Sequence, residues 1–248
     1  MKRIHHHILL VWLLALVIIV GCKKTYQYPS AKASDYMPMQ KGKYITYRLD
    51  SLVFLNFGTE DSTFSYLARD VVDDSITDNS GRPSWRIIRY LSDTTGTAEW
   101  TPIETYMVTL LPTSVEVVEN NLRFIKLVSP VIDGFTWSGN SYIESSSAFS
   151  DFTYLYGWNY VYDSTGLPFN AFNTEIPNTV TIHQADESTG STADTVFSTR
   201  TFSEEVYAKG IGMVYKNFIH WEYQPPNANV PVGSTEGYGI KLTMVDHN

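Results

Sequence analysis

Six aromatic residues at alternate positions, Phe152, Tyr154, Tyr156, Trp158, Tyr160 and Tyr162, have the type and spacing to bind a ligand. On one continuous strand every second side chain shares a sheet face, so all six rings would form a row. Such a row stacks the C–H faces of pyranose rings and leaves tyrosine hydroxyls and the indole N–H for hydrogen bonds. Tyr154, Tyr156, Trp158, Tyr160 and Tyr162 are therefore the candidate ligand-binding residues. Packing is the default reading, because aromatic residues are common in strands and supply core area. Gly157 with Asn159 would also fold the segment into a hairpin and split the row.

Other chemistry is weakly signalled. Acidic residues gather at Glu60-Asp61, at Asp70, Asp73, Asp74 and Asp78, at Asp186-Glu187 and at Glu204-Glu205. Most read as solvated turn residues. A glycosidase needs two carboxylates across a cleft, a separation that sequence does not give. Asp73, Asp74 and Asp78 ahead of Gly81 miss the alternate spacing of a calcium loop. His183, His220 and His247 stand apart, without the neighbours of a metal site. Gly210-Ile211-Gly212 lacks the third glycine and the helix of a dinucleotide site and reads as a bulge or a close strand approach. No Gly-x-Ser-x-Gly or Gly-Lys-Ser/Thr motif occurs. No catalytic residue, metal ligand or cofactor is expected.

Cys22 is the single cysteine of the 248 residues, and it follows a thirteen-residue apolar run, Ile8–Val20, directly after Gly21. Met1-Lys2-Arg3 supplies a short positive start and Gly21 the small residue that a signal peptidase accommodates. The run is shorter than the roughly 20 residues of a membrane span. The pattern resembles a bacterial lipobox, so residues 1–21 are expected to be a signal peptide and Cys22 to be lipidated. His5, His6 and His7 leave with the signal peptide. Several acyl chains hold a protein stably where one holds it marginally.

Cleavage removes Lys2 and Arg3 and leaves 16 basic against 26 acidic residues, a balance of −10 with His neutral. That argues against nucleic acid and against electrostatic docking on anionic lipid. Membrane attachment is then through the anchor on Cys22. Residues 22–41 read as the lipidated cysteine and a flexible tether, and the polar run extends to Lys43. About 15 extended residues would reach up to about 50 Å.

Residues 42–248 read as a single mainly-β domain. Period-two runs broken by turn residues occur at Tyr44–Leu49, Thr63–Val72, Trp85–Leu91, Tyr106–Leu111, Thr179–His183, Thr195–Thr201, Gly212–Tyr223 and Tyr238–Val245. Val115–Val118 and Leu122–Val128, joined through Glu119-Asn120-Asn121, form the clearest hairpin. Ser203–Lys209 ahead of Gly210 suits one or two helical turns. Ser138–Ser150 and Asp186–Asp194 read as exposed loops. The expected fold is all-β and antiparallel, a sandwich or a strongly curved sheet approaching a barrel, with at most one or two short helices.

The stretches Asp133–Asn140, Tyr207–Tyr215 and Gly237–Ile240 through Asp246-His247-Asn248, with the opening Met39–Tyr44, are similar to a group of function-unassigned Bacteroidota lipoproteins. The resemblance spans most of the expected mature chain and implies an envelope-anchored β domain at the outer membrane. It transfers no catalytic constellation. Lys23-Lys24-Thr25 lacks the acidic residues associated with surface export, so the periplasmic and surface faces both stay open. The expected function is non-enzymatic binding of a ligand or envelope partner, a glycan among them. A carrier or chaperone for lipid or hydrophobic peptide and a carbohydrate-active hydrolase are the alternatives.

Overall fold

The structure, a computed structural model, describes residues 31–190, 195–228 and 231–248. The expected signal peptide and Cys22 lie outside them. Twelve antiparallel strands form one nearly closed, barrel-like sheet: β1 (Tyr44–Leu55), β2 (Glu60–Thr77), β3 (Pro83–Ser92), β4 (Thr101–Leu110), β5 (Ser114–Glu119), β6 (Leu122–Val128), β7 (Thr136–Trp137), β8 (Tyr160–Ala171), β9 (Thr174–Thr189), β10 (Ser198–Ala208), β11 (Gly212–Gln224) and β12 (Ser234–His247). The sheet order is β6-β5-β4-β3-β2-β1-β12-β11-β10-β9-β8-β7, so nearly every neighbour in sequence is a neighbour in space. Of the two architectures left open, the curved sheet is the one formed.

Turn chemistry sets the meander. Asn120-Asn121, the two residues between paired Glu119 and Leu122, hold positive φ at both central positions (52° and 61°). That is the mirror-image turn whose twist matches a two-residue hairpin. Strand direction then fixes two barrel ends. The near end carries the start of β1, the end of β12 and the β10–β11 turn. The far end carries the β1–β2, β5–β6 and β11–β12 connections together with the long segment between β7 and β8.

The barrel's open edges meet at a seam made mostly by side chains. Ile125 on β6 donates its N–H to the Gly139 carbonyl at 2.8 Å and accepts the Trp137 indole N–H at 2.8 Å. The Tyr162 hydroxyl donates to the Val128 carbonyl at 2.6 Å and accepts the Val128 N–H at 2.9 Å. An exposed edge would be a template for further pairing, and this stitching removes it.

Three expectations are corrected. Ser203–Lys209 is not helical: Ser203–Ala208 belongs to β10, paired with β9 and β11, so sheet pairing overrides local propensity. The loop expected from Asp186 begins later, because β9 runs on to Thr189 opposite Thr199; residues 191–194 are outside the described chain. The expected tether is structured over residues 31–43. Ala33–Tyr36 forms a 3₁₀ turn with Ala33 and Tyr36 buried, and Met37 and Met39 pack on the core. The Ala33 N–H reaches the Ser129 hydroxyl at 3.0 Å and the Asp35 carbonyl accepts the Gly210 N–H at 2.8 Å. This strap closes the near end.

Candidate functional site

Alternation along the strands sends polar and apolar side chains alike into the lumen. Asp70 on β2, Arg89 on β3, Tyr106 on β4, Glu119 on β5, Lys126 on β6, Glu205 and Tyr207 on β10 and Lys216 on β11 meet there. Arg89 grips Asp70 with two parallel bonds, Nε to Oδ1 at 2.7 Å and Nη2 to Oδ2 at 2.8 Å, and Tyr106 donates to the same carboxylate at 3.0 Å. Across the lumen Lys126 Nζ donates to Glu205 Oε1 at 2.6 Å, while Tyr207 donates to Oε2 at 2.7 Å. Lys216 lies 3.6 Å from Glu119 and 3.9 Å from Glu205. Arg89 lies 3.8 Å from Glu119 and so joins the two halves of the network.

Burial and charge tune these groups in opposite directions. Lys216, with Arg89, brings the Glu119 carboxyl down to about 2 against its burial. Burial pushes the Glu205 carboxyl up, but Lys126 and Lys216 outweigh it and hold it below the ordinary carboxylate range. Burial, with Glu119 adding to it, raises the Glu104 carboxyl. On the outer wall Asp78 is brought down to about 2 by the Arg82 backbone N–H and guanidinium. A carboxylate depressed in the folded state contributes stability that is present above its unfolded pKa and lost as pH falls through its folded one. The melting midpoint is therefore expected to fall steadily between about pH 4.5 and pH 2. Glu104, with its raised pKa, works the other way and above that window, its contribution growing as pH falls towards about 4.5. A calorimetric series showing no loss between pH 4 and 2 would contradict this assignment.

The charged layer divides the lumen. On its near side a cavity of about 70 Å³ is bounded by strap residues Met37, Pro38 and Met39. On its far side a cavity of about 100 Å³ is bounded by Leu122, Tyr154, Trp158, Tyr160, Gln184 and Phe218, among others. Both share Glu119, Lys126, Glu205 and Lys216. These volumes are well below the roughly 300–1,000 Å³ of ordinary small-molecule pockets.

The aromatic row does not form as one strand face. Thr153–Leu155 is a 3₁₀ turn, Gly157 has φ of +75°, and β8 begins only at Tyr160. Trp158, Tyr160 and Tyr162 are buried. Tyr160 and Trp158 wall the far cavity, and Tyr162 closes the seam. Tyr154 stacks on His220 with ring centres 4.2 Å apart. Tyr156 alone of the five candidates stands open, at 63% exposure.

Tyr156 borders an outer cleft of about 290 Å³ at the far end, lined also by Ser138, Asn140, Ser141, Glu144 and Ser146. The Ser138–Ser150 segment is a loop, as expected, but an anchored one. Buried Asn140 donates to the Leu155 carbonyl at 3.1 Å and accepts the Tyr160 hydroxyl at 2.8 Å. Tyr142 donates to Glu116 at 3.0 Å, and Glu116 also binds Arg82 and Arg123. Glu144 Oε1 accepts the Ser146 hydroxyl and N–H and the Ser147 N–H, which lowers its pKa.

No family model matches the chain, and no curated protein matches it. Among solved structures it is similar to a Bacteroides fragilis protein thought to be exported and having a YmcC-like fold. The two are 10% identical, the match covers 84% of this chain and 98% of that one, and the TM-score is 0.32.

The sequence missed the lumen. Asp70, Asp78 and Glu205, members of acidic groups that read mostly as solvated turn residues, are 6%, 5% and 1% exposed and paired with arginine or lysine. Their pairing with bases far along the chain gives no local signal. The inward phase of β10, with Ser203, Glu205 and Tyr207 alternating, is the one hint that was available.

Proposed function

We propose that this chain is a lipid-anchored, non-enzymatic binding protein of the cell envelope, held at the outer membrane through Cys22, and that its outer cleft binds a glycan. The observation that carries the reading is Tyr156: an aromatic ring at 63% exposure beside a cleft of serine hydroxyls, an amide and one carboxylate. Stacking on an aromatic face with hydrogen bonds at the ring's edge is the chemistry that recognises a saccharide. The cleft is also at the far end of the barrel, whereas the strap that leads towards residue 22 is at the near end.

The two alternatives fare less well. Tyrosines and ion pairs occupy the lumen, and cavities of about 70 and 100 Å³ leave no room for an acyl chain, which speaks against a carrier. A glycosidase needs two carboxylates facing one cleft, and Glu144 is the one carboxylate among the cleft's lining residues. The net charge of −8 for the full chain speaks against a nucleic-acid partner.

Titration of the protein with a panel of bacterial envelope and host-type glycans tests the reading. Tyr156→Ala is expected to weaken binding at least about tenfold, roughly 1.4 kcal/mol, as removal of an aromatic anchor does. Stability should change by less than about 0.5 kcal/mol, because the ring is mostly in solvent. Equal affinity in the variant would remove Tyr156 from the site, and no glycan bound by the wild type would end the reading.

A further inference from the structure

Glu144 is held in place in the outer cleft by its own loop. Three donors meet its Oε1: the Ser146 hydroxyl at 2.6 Å, the Ser146 N–H at 2.9 Å and the Ser147 N–H at 3.2 Å. Its main-chain carbonyl accepts the Ser150 hydroxyl at 2.7 Å, so backbone and side chain are fixed together. A carboxylate accepts on two oxygens, and among the described residues no donor reaches Oε2. Glu144 is exposed and lines the cleft, so a solute entering the cleft meets it directly.

The charge in the cleft is one-sided. Among the described residues that line it there is no lysine, arginine or histidine. Arg123, whose guanidinium lies 6.0 Å from the centre of the Tyr142 ring in the same loop, is paired with Glu116 at 2.6 Å and stands outside the lining. The Ser146 hydroxyl, with the Ser146 and Ser147 N–H groups, lowers the Glu144 pKa, so the carboxylate is charged at neutral pH. A fixed negative charge accepts strongly from hydroxyl donors and repels an anion. At about 290 Å³ the cleft lies at the lower bound of the roughly 300–1,000 Å³ of small-molecule sites, which suits one or two sugar rings rather than a long chain.

We infer that Glu144 makes the outer cleft selective for uncharged saccharides, its carboxylate accepting from hydroxyls of a sugar stacked on Tyr156 and excluding sugars that carry a carboxylate of their own. This rests on the glycan reading of the cleft and adds the class of glycan. Tyr156 supplies affinity without regard to charge, and Glu144 supplies the discrimination.

The test is titration of the full-length protein, in a non-ionic detergent without a sugar headgroup, with the methyl glycosides of glucose, galactose and mannose, each against its uronate. The two members of a pair differ only in oxidation at C6. Where the neutral member binds, it is expected to bind at least about fivefold tighter than its uronate at low salt, and the ratio should shrink in about 1 M salt. Glu144→Gln keeps an oxygen for Ser146 and Ser147 but removes the charge, so it should bring the ratio close to one while weakening neutral binding by less than about threefold. A uronate bound by the wild type as tightly as its neutral partner, or more tightly, would overturn the selectivity and leave the glycan reading standing. A ratio unchanged in Glu144→Gln would take the selectivity away from Glu144. If none of the six binds, the selectivity falls as well, and the larger glycans of the panel decide separately whether the cleft binds saccharide at all. The wild-type ratios and their salt dependence stand whether or not the variant folds.

Discussion

Lys126→Met is expected to cost about 3–5 kcal/mol of stability, one of the largest effects of any single substitution in this barrel. Lys126 and Glu205 are 6% and 1% exposed, and their 2.6 Å contact spans the lumen from β6 to β10. Removing the ammonium strands a carboxylate that burial already disfavours, with Lys216 at 3.9 Å as the remaining countercharge and one tyrosine hydroxyl as donor. Replacing both partners is a different experiment. Lys126→Met with Glu205→Met removes the desolvated pair and fills its place with apolar volume, so most of the loss should be recovered, giving a coupling of about 2 kcal/mol or more. Urea unfolding of the two single variants and the double variant measures it. Additive losses would mean that the pair does not act as a unit and that its charges are effectively solvated.

This pair also marks the limit of what could be read from the chain. Strand positions were legible because period two and turn residues are local signals: Asn120-Asn121 between two β-rich runs is the β5–β6 hairpin, and Gly212–Tyr223 is nearly all of β11. What failed was every feature settled by distant residues. Ser203–Lys209 has helical composition but lies between two strands that take up its backbone bonds. The segment at residues 31–43 is polar enough to read as a tether, yet Tyr36, Met37 and Met39 find the barrel's near end. The aromatic row was visible, and so was Gly157, which breaks it. Which rings would face inward depended on where β8 begins. Charged residues inside a barrel are the hardest case, since a solvated acid and a buried, paired acid look identical in sequence.

Barrel closure leads to a second large effect, localised rather than global in its first appearance. Tyr162→Phe deletes one hydroxyl that serves both the N–H and the carbonyl of Val128, so two backbone groups lose their partner together. Each such loss costs about 1–3 kcal/mol where the group is shielded from water, and Val128 is partly buried, so about 2–4 kcal/mol is expected in total. The ring itself stays, packed at 4.7 Å on Trp137, which separates hydrogen bonding from core filling. Amide exchange at Val128 and Ile125 should accelerate well before exchange in β1 and β12, where the paired register runs for nine residue pairs. That order follows because β6 meets the other edge through a few side-chain bonds while its neighbours are held by full ladders. Uniform acceleration in all strands would instead show that the sheet opens cooperatively and that the seam is as strong as its ladders. Opening there would free the edge beside Trp137, which precedes the loop of the outer cleft, and Gly139, which lies in that loop, so a seam variant should also loosen the far-end site without touching Tyr156.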